Sequence, residues 1–291
     1  MGDSRNPLIF LAAASVINII LDFLFVCRFE MGIAGVAIAT VISQAASAVM
    51  VMAKLIVIKA EYKVELRRIR FHLDKLRQIV AIGFPAALQQ SITAFSNVIV
   101  QSYINSFGTA AIAGYSTTIR IDGFLQLTLQ SFNMTITTFV GQNIGARKRQ
   151  RVKRGVLAAW LMSSSVILCG CFVMYLKGPE LIAIFTDDPE VIANGGAMLK
   201  LFSYGYMTLP VIQILAGALR GVGKSKIPMY FMVGSFVVLR QIYLAAAVPR
   251  THNLMVVMAG WPITWVICAA GMLRITSSST ILLKPSEHIR I

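Results

Sequence analysis

The chain has 291 residues, of which 57% are hydrophobic and 13% charged, and its mean hydropathy is +0.73. Soluble domains carry about 25% charged residues, so this composition excludes an ordinary soluble fold and predicts an all-α membrane protein. The net charge of +15 raises the question of nucleic acid, but the basic residues alternate between connections in the way that sets membrane topology, and no nucleic-acid partner is expected.

Apolar runs long enough to cross about 30 Å of hydrocarbon occupy, in chain order, 8–27, 33–58, 77–107, 110–141, 155–176, 190–219, 227–248 and 254–275. Eight transmembrane helices are therefore predicted. The first is no cleavable signal, because Asn18 and Asp22 interrupt its apolar region and no A-x-A site follows. Between the second and third runs lies 59–75, a basic and mildly amphipathic connection expected to lie along the cytoplasmic membrane surface. Residues 276–291 read as a short exposed tail. The basic groups around 59–77, Arg147 to Arg154, Arg220 to Lys226 and Arg274 to Arg290 fall on one set of alternate connections. The other set carries only Arg28, Lys177 and Arg250, together with the acidic Glu180, Asp187, Asp188 and Glu190. This positive-inside pattern predicts a multi-pass protein of the cytoplasmic membrane with both termini in the cytoplasm.

Cys27, Cys169, Cys171 and Cys268 lie in or beside apolar runs, without the spacing of a disulfide framework or a zinc site. No catalytic triad, phosphate loop or metal-ligand cluster is present in the sequence, so no enzyme and no cofactor is expected.

Asp22 and Asp122 are the two carboxylates well inside predicted spans. Retaining a carboxylate in hydrocarbon costs about 3 kcal/mol on insertion scales, and such residues usually mark an ion or proton pathway. Asn18 stands four residues before Asp22, on the same helical face, and Thr40 on the next helix adds a hydroxyl. These are hard oxygen ligands suited to Na⁺, or to holding a proton on the carboxylate; alternatively, Asp22 caps the outer end of its helix toward Arg28. From Asp122 a polar stripe continues through Gln126, Gln130, Asn133 and Thr137, and helix three carries another at Gln90, Thr93, Asn97, Gln101 and Asn105. Lipid cannot hydrogen-bond these amides, so the stripes are expected to face a hydrated substrate cavity, or to join each other as interhelical hydrogen bonds without transport. Tyr204, in a helix broken by Pro210, is added to the cavity, and Tyr115, Phe124, Phe132, Tyr206 and Trp261 are further aromatic candidates. Arg240, mid-span in helix seven, is expected opposite Asp122 as an intramembrane pair.

The chain also repeats itself. Gly2, Ser4, Pro7 and Phe10 recur as Gly223, Ser225, Pro228 and Phe231 at a spacing of 221, and Ala34-Gly35, Ile38, Val41-Ile42 and Ala45 recur as Ala259-Gly260, Ile263, Val266-Ile267 and Ala270 at 225. Ordered echoes of this kind imply a duplicated membrane unit, a common construction of secondary transporters. Residues 1–58 then read as the last two helices of a first six-helix lobe, 59–75 as the inter-lobe linker and 76–275 as a complete second lobe. Four further helices, upstream or on another chain, are expected for activity.

The stretches Gly2-Asp3-Ser4 to Asp22, Gly32 to Thr40, Gly83-Phe84-Pro85, Phe139 to Ala146 and Leu219 to Lys224 together resemble the multidrug and toxic compound extrusion (MATE) family. The resemblance covers essentially the whole chain. It implies two six-helix lobes around a cavity that opens alternately to either side, exporting drugs or organic cations in exchange for Na⁺ or H⁺. In some members an Asn and an Asp four apart on helix five and a Thr on helix six bind the coupling ion, and Asn18, Asp22 and Thr40 match those positions. The acids that many relatives carry on helices seven and ten are absent near Gln90 to Asn97 and Thr208 to Pro210, so Asp122 is a candidate from the residues alone. The alternatives are a lipid-linked-sugar flippase of the wider superfamily, expected to have a more basic cavity, and a non-transporting membrane fragment.

Overall fold

The computed structural model describes residues 5–58, 63–66, 70 and 72–277. Gly2 to Ser4 of the repeat, about half of the 59–75 linker and nearly all of the 276–291 tail lie outside the described residues. The chain forms two compact units that part between His72 and Leu73.

In unit 1, α1 (Arg5–Phe23) continues through a π-helical stretch, Leu24–Arg28, and α2 (Gly32–Val57) returns against it. The buried residues of α2 are Gly35, Ala39 and Ser43, a stripe of small side chains four apart. Small residues at this spacing let two helices approach closely; a Cβ on Gly35 would lie 2.9 Å from the Cβ of Phe25. The remaining faces carry Leu8, Leu11, Ile19, Phe23, Ile33 and Val41, all exposed, as expected of surfaces solvated by lipid tails.

Unit 2 comprises α3 (Leu73–Asn105), α4 (Thr109–Gly145), α5 (Arg149–Ala183), α6 (Pro189–Tyr206), α7 (Leu209–Gly221), α8 (Lys226–Val233), α9 (Arg240–Thr251) and α10 (Leu254–Thr276). A π-helical stretch, Gly234–Leu239, joins α8 to α9 as one rod. Asp188 caps α6, accepting from the backbone N–H of Glu190 at 2.9 Å and of Val191 at 3.4 Å, with Pro189 in the first turn where its missing N–H costs nothing. Between α6 and α7 the direction changes by 52°. Pro210, in the first turn of α7, supplies no N–H to continue the α6 ladder.

Two close approaches hold this bend in place. A Cβ on Gly205 would lie 2.7 Å from Pro262 of α10. On α7, Gly217 and Gly221 turn a bare backbone face to α4, where added Cβ atoms would meet the carbonyl oxygens of Asn133 at 2.7 Å and Thr137 at 2.6 Å. Thr137 uses the space by donating its hydroxyl to the Gly217 carbonyl at 3.1 Å.

Among the described residues, six of the helical rods can cross a membrane by length and composition, and the bent α6–α7 pair makes a seventh. The eighth expected span is α4, which falls outside that set. Its 37 residues would extend about 55 Å at the usual helical rise, so length is no obstacle; the polar stripe from Asp122 to Thr137 dilutes its hydropathy. The core of unit 2 contains an aromatic cluster: Phe202 and Tyr206, one turn apart on α6, meet Trp265 at ring distances of 5.5 and 5.4 Å, and Phe202 meets Trp261 at 5.7 Å. The two rods of unit 1 and the last two of unit 2 begin at Arg5 and Lys226, the 221-residue offset of the sequence repeat.

Candidate functional site

Unit 2 encloses a cavity of about 910 Å³ walled by α3, α4, α6, α7, α8, α9 and α10. Helical periodicity explains what faces it. On α3, Gln89, Gln90, Thr93, Asn97 and Gln101 recur at three or four residues, and on α4 Asp122, Gln126, Gln130 and Asn133 do the same. The two polar stripes therefore line one space. Gln89, Asp122 and Asn133 are buried, whereas Gln90, Asn97 and Gln130 are exposed and mark its open side.

Asp122, 8% exposed, accepts a short hydrogen bond from the Tyr206 hydroxyl. Arg240 is buried and does not pair with it. Its Nε donates to the Phe236 carbonyl at 2.7 Å, Nη1 donates to Oδ1 of Asn97 at 3.1 Å, and the guanidinium lies 5.2 Å from the Trp261 ring centroid. The expected Arg240–Asp122 pair is thus replaced by two separate networks. The physical reason is local: Asp122 finds its donor on α6, while Arg240 reaches the α3 amide and the carbonyl one turn back on its own rod.

A second cation, missed at the level of sequence, faces the same cavity. Arg220, in the last turn of α7, donates through Nη1 to Oδ1 of Asn133 at 3.2 Å and through Nη2 to Oε1 of Gln89 at 3.0 Å. Asn133 is fixed in turn by donating to the Gln213 backbone carbonyl at 2.7 Å and side-chain oxygen at 3.1 Å. In the sequence, Arg220 stands among the basic groups expected on the cytoplasmic side, where it reads as a topology signal. Its seven-residue spacing from Gln213, which puts both on one face of α7, was the available clue.

Of the aromatic candidates, Tyr115 and Trp261 line the cavity, with ring centroids 6.0 Å apart. Tyr206 is fully buried beneath Asp122, and Phe124 is 70% exposed on the outer face. Tyr204 also lies outside: it is 66% exposed and stacks edge-on against Tyr175 at 5.8 Å. Phe202 and Tyr206 occupy the inward face of α6, and a residue two positions from each points roughly the opposite way.

In unit 1, Asn18 and Asp22 share one face of α1, and both Nδ2 of Asn18 and Oδ1 of Asp22 are buried without a hydrogen-bond partner. Thr40 on α2 donates its hydroxyl to the Val36 carbonyl at 2.9 Å, leaving its oxygen lone pairs available. A carboxylate oxygen without a donor, an amide and a hydroxyl are the donor chemistry that suits a hard monovalent cation or a proton.

A smaller groove of about 580 Å³ lies on unit 2 among Val152, Lys153, Trp160, Ile214 and Leu273. Nearly all of its wall is apolar, which fits an acyl chain better than a polar solute.

The MatE family model matches residues 85–246. Among curated relatives, the chain is 28% identical over 251 residues to "Probable multidrug resistance protein YpnP" of Bacillus subtilis, covering 84% of this chain and 55% of that protein. It is 25% identical over 232 residues to "Probable multidrug resistance protein NorM" of Thermotoga maritima, covering 78% and 50%. The chain thus spans about half the length of the curated relatives it matches. The fold is similar to the crystal structure of the Vibrio cholerae MATE transporter VcmN in its bent form, with a TM-score of 0.82 at 20% identity over 97% of this chain and 63% of that one.

Proposed function

Because the chain belongs to the MatE family, a family of multidrug efflux transporters rather than of enzymes, we propose that it exports small organic, drug-like molecules through the unit 2 cavity, driven by Na⁺ or H⁺ moving inward. The observation that carries this reading is the single cavity into which both polar stripes turn. Amides serving only as interhelical glue would be consumed by one another, whereas Gln90 and Gln130 stand at an open side. Asn18, Asp22 and Thr40 are proposed to hold the coupling cation. The unpartnered Asp22 oxygen supports that role, since a buried carboxylate oxygen without a donor is costly unless a cation or proton visits it. Asp122 is proposed as a second coupling group.

The bend between α6 and α7 supplies a hinge beside the cavity. Alternating exposure of a central site requires two lobes rocking against each other, and the match to about half of each relative supports further helices as partners for transport. The reading includes residence in the cytoplasmic membrane with both termini inside. Arg220 and Arg240 also keep the lipid-linked-sugar flippase reading open, since that alternative calls for a basic cavity.

Proteoliposomes separate these readings. Residues 1–291 alone are expected to give no gradient-driven efflux of a fluorescent drug, and co-reconstitution with the complementary helices of a relative is expected to restore it. Failure of the combined preparation to move any drug under either gradient would reject the exporter reading.

A further inference from the structure

Arg240 and Arg220 are the two cations of the unit 2 cavity, and every acceptor that holds them is neutral. Arg240 is fixed by the Phe236 carbonyl, the Asn97 amide oxygen and the face of Trp261. Arg220 is fixed by the amide oxygens of Asn133 and Gln89, and its Nε is buried with no acceptor. A guanidinium carries five N–H donors, so several on each remain for a ligand. The single carboxylate of the lining, Asp122, is engaged by Tyr206 and pairs with neither arginine. The lining therefore has two fixed positive charges against one negative charge.

Neutral dipoles orient a guanidinium without neutralising it. In a low-dielectric cavity the counter-charge is then left for a ligand to supply, through the forked geometry that suits a carboxylate, sulfonate or phosphate. The anchors Asn97 and Gln89 stand eight residues apart on α3, about 12 Å along the helix, so the arginines form two successive stations. Trp261, Trp265 and Phe202 add aromatic surface to the same cavity, with the Trp261 ring 5.2 Å from the Arg240 guanidinium.

We propose, on the reading of this cavity as the substrate path, that its substrate is an organic anion, with a flat apolar body against the tryptophans and an anionic group received by Arg240 and Arg220. A bare organic cation would meet two like charges along the same path.

The test uses the full 1–291 chain in phosphatidylcholine nanodiscs with two probes of one ring system and opposite charge, pyrene-1-sulfonate and 1-pyrenylmethylammonium. Binding is read by energy transfer from tryptophan. The sulfonate is expected to bind about tenfold more tightly than the ammonium. Arg240→Gln and Arg220→Gln are each expected to lower sulfonate affinity about tenfold while raising ammonium affinity, because one of the two like charges is gone, and Arg240→Lys is expected to retain part of the sulfonate affinity. Including phosphatidylglycerol in the nanodisc distinguishes two sources of the anion: competition indicates a lipid headgroup, and no competition a soluble anion. Equal or tighter binding of the ammonium by the unaltered chain, or sulfonate binding that survives both arginine substitutions, would overturn the proposal. Tight ammonium binding lost in Asp122→Asn would do so while leaving the exporter reading intact. Failure of both probes to bind would reject both.

Discussion

Tyr206 of α6 donates its hydroxyl to the carboxylate of Asp122 on α4, and both residues are buried. The bond ties the α6 end that precedes the bend to a helix that carries one of the two polar stripes. Tyr206→Phe would remove one hydrogen-bond donor from that buried carboxylate, a loss of about 1–3 kcal/mol. A lower melting temperature is expected, with partial recovery in the Tyr206→Phe/Asp122→Asn double variant, because a neutral amide is less costly to leave unpaired. Unchanged thermal stability of Tyr206→Phe would show that the bond contributes nothing.

The α4–α7 contact is set by bare backbone. Gly221→Val would drive a Cβ against the Thr137 carbonyl oxygen, 2.6 Å away, and against Val140. Neither neighbour is a flexible side-chain end, so the helices must separate. Fluorescence-detected size exclusion is expected to show loss of the monodisperse peak, whereas Gly83→Val, with nothing within 4 Å of its added Cβ, keeps it.

Asp22→Asn removes the charge from the proposed coupling site without changing its size. Ion-driven export by the assembled transporter is expected to fall to background, while membrane insertion and yield stay normal. Export at the unaltered rate would return Asp22 to a structural role at the end of α1.

Topology is open to the same kind of decision. With the exposed Cys27 and Cys169 replaced by serine, cysteines placed at 149 and 151 are expected to resist an impermeant maleimide in intact cells, and cysteines at 187 and 190 to react. The reverse pattern would invert the orientation drawn from the basic connections.

The parts of the molecule legible in the sequence are those governed by one helix at a time. Gln90 to Gln101 and Asp122 to Asn133 were readable as faces because helical periodicity alone brings residues three or four apart into line, and both faces line one cavity. The Pro210 break was readable because proline lacks the N–H that continuation needs, and the 52° bend falls beside it. What escaped depends on how helices cross. Nothing local distinguishes Tyr204 from Tyr206, yet one faces outward and the other meets Asp122. The partner of Arg240 was settled by the nearness of Asn97 on α3, and Arg220 was obscured by the basic residues that follow it.

Two neighbouring positions on α4 distinguish a hydrated path through unit 2 from a packed interface. Gln126 lines the cavity, while Phe124, two residues earlier, is 70% exposed on the outer face. In the cysteine-reduced background, Gln126→Cys in native membranes is expected to react with a hydrophilic maleimide, and pyrene-1-sulfonate to slow that reaction. Phe124→Cys is expected to face lipid and to remain unreactive. A Gln126→Cys as inert as Phe124→Cys would contradict the account and make the two polar stripes interhelical glue.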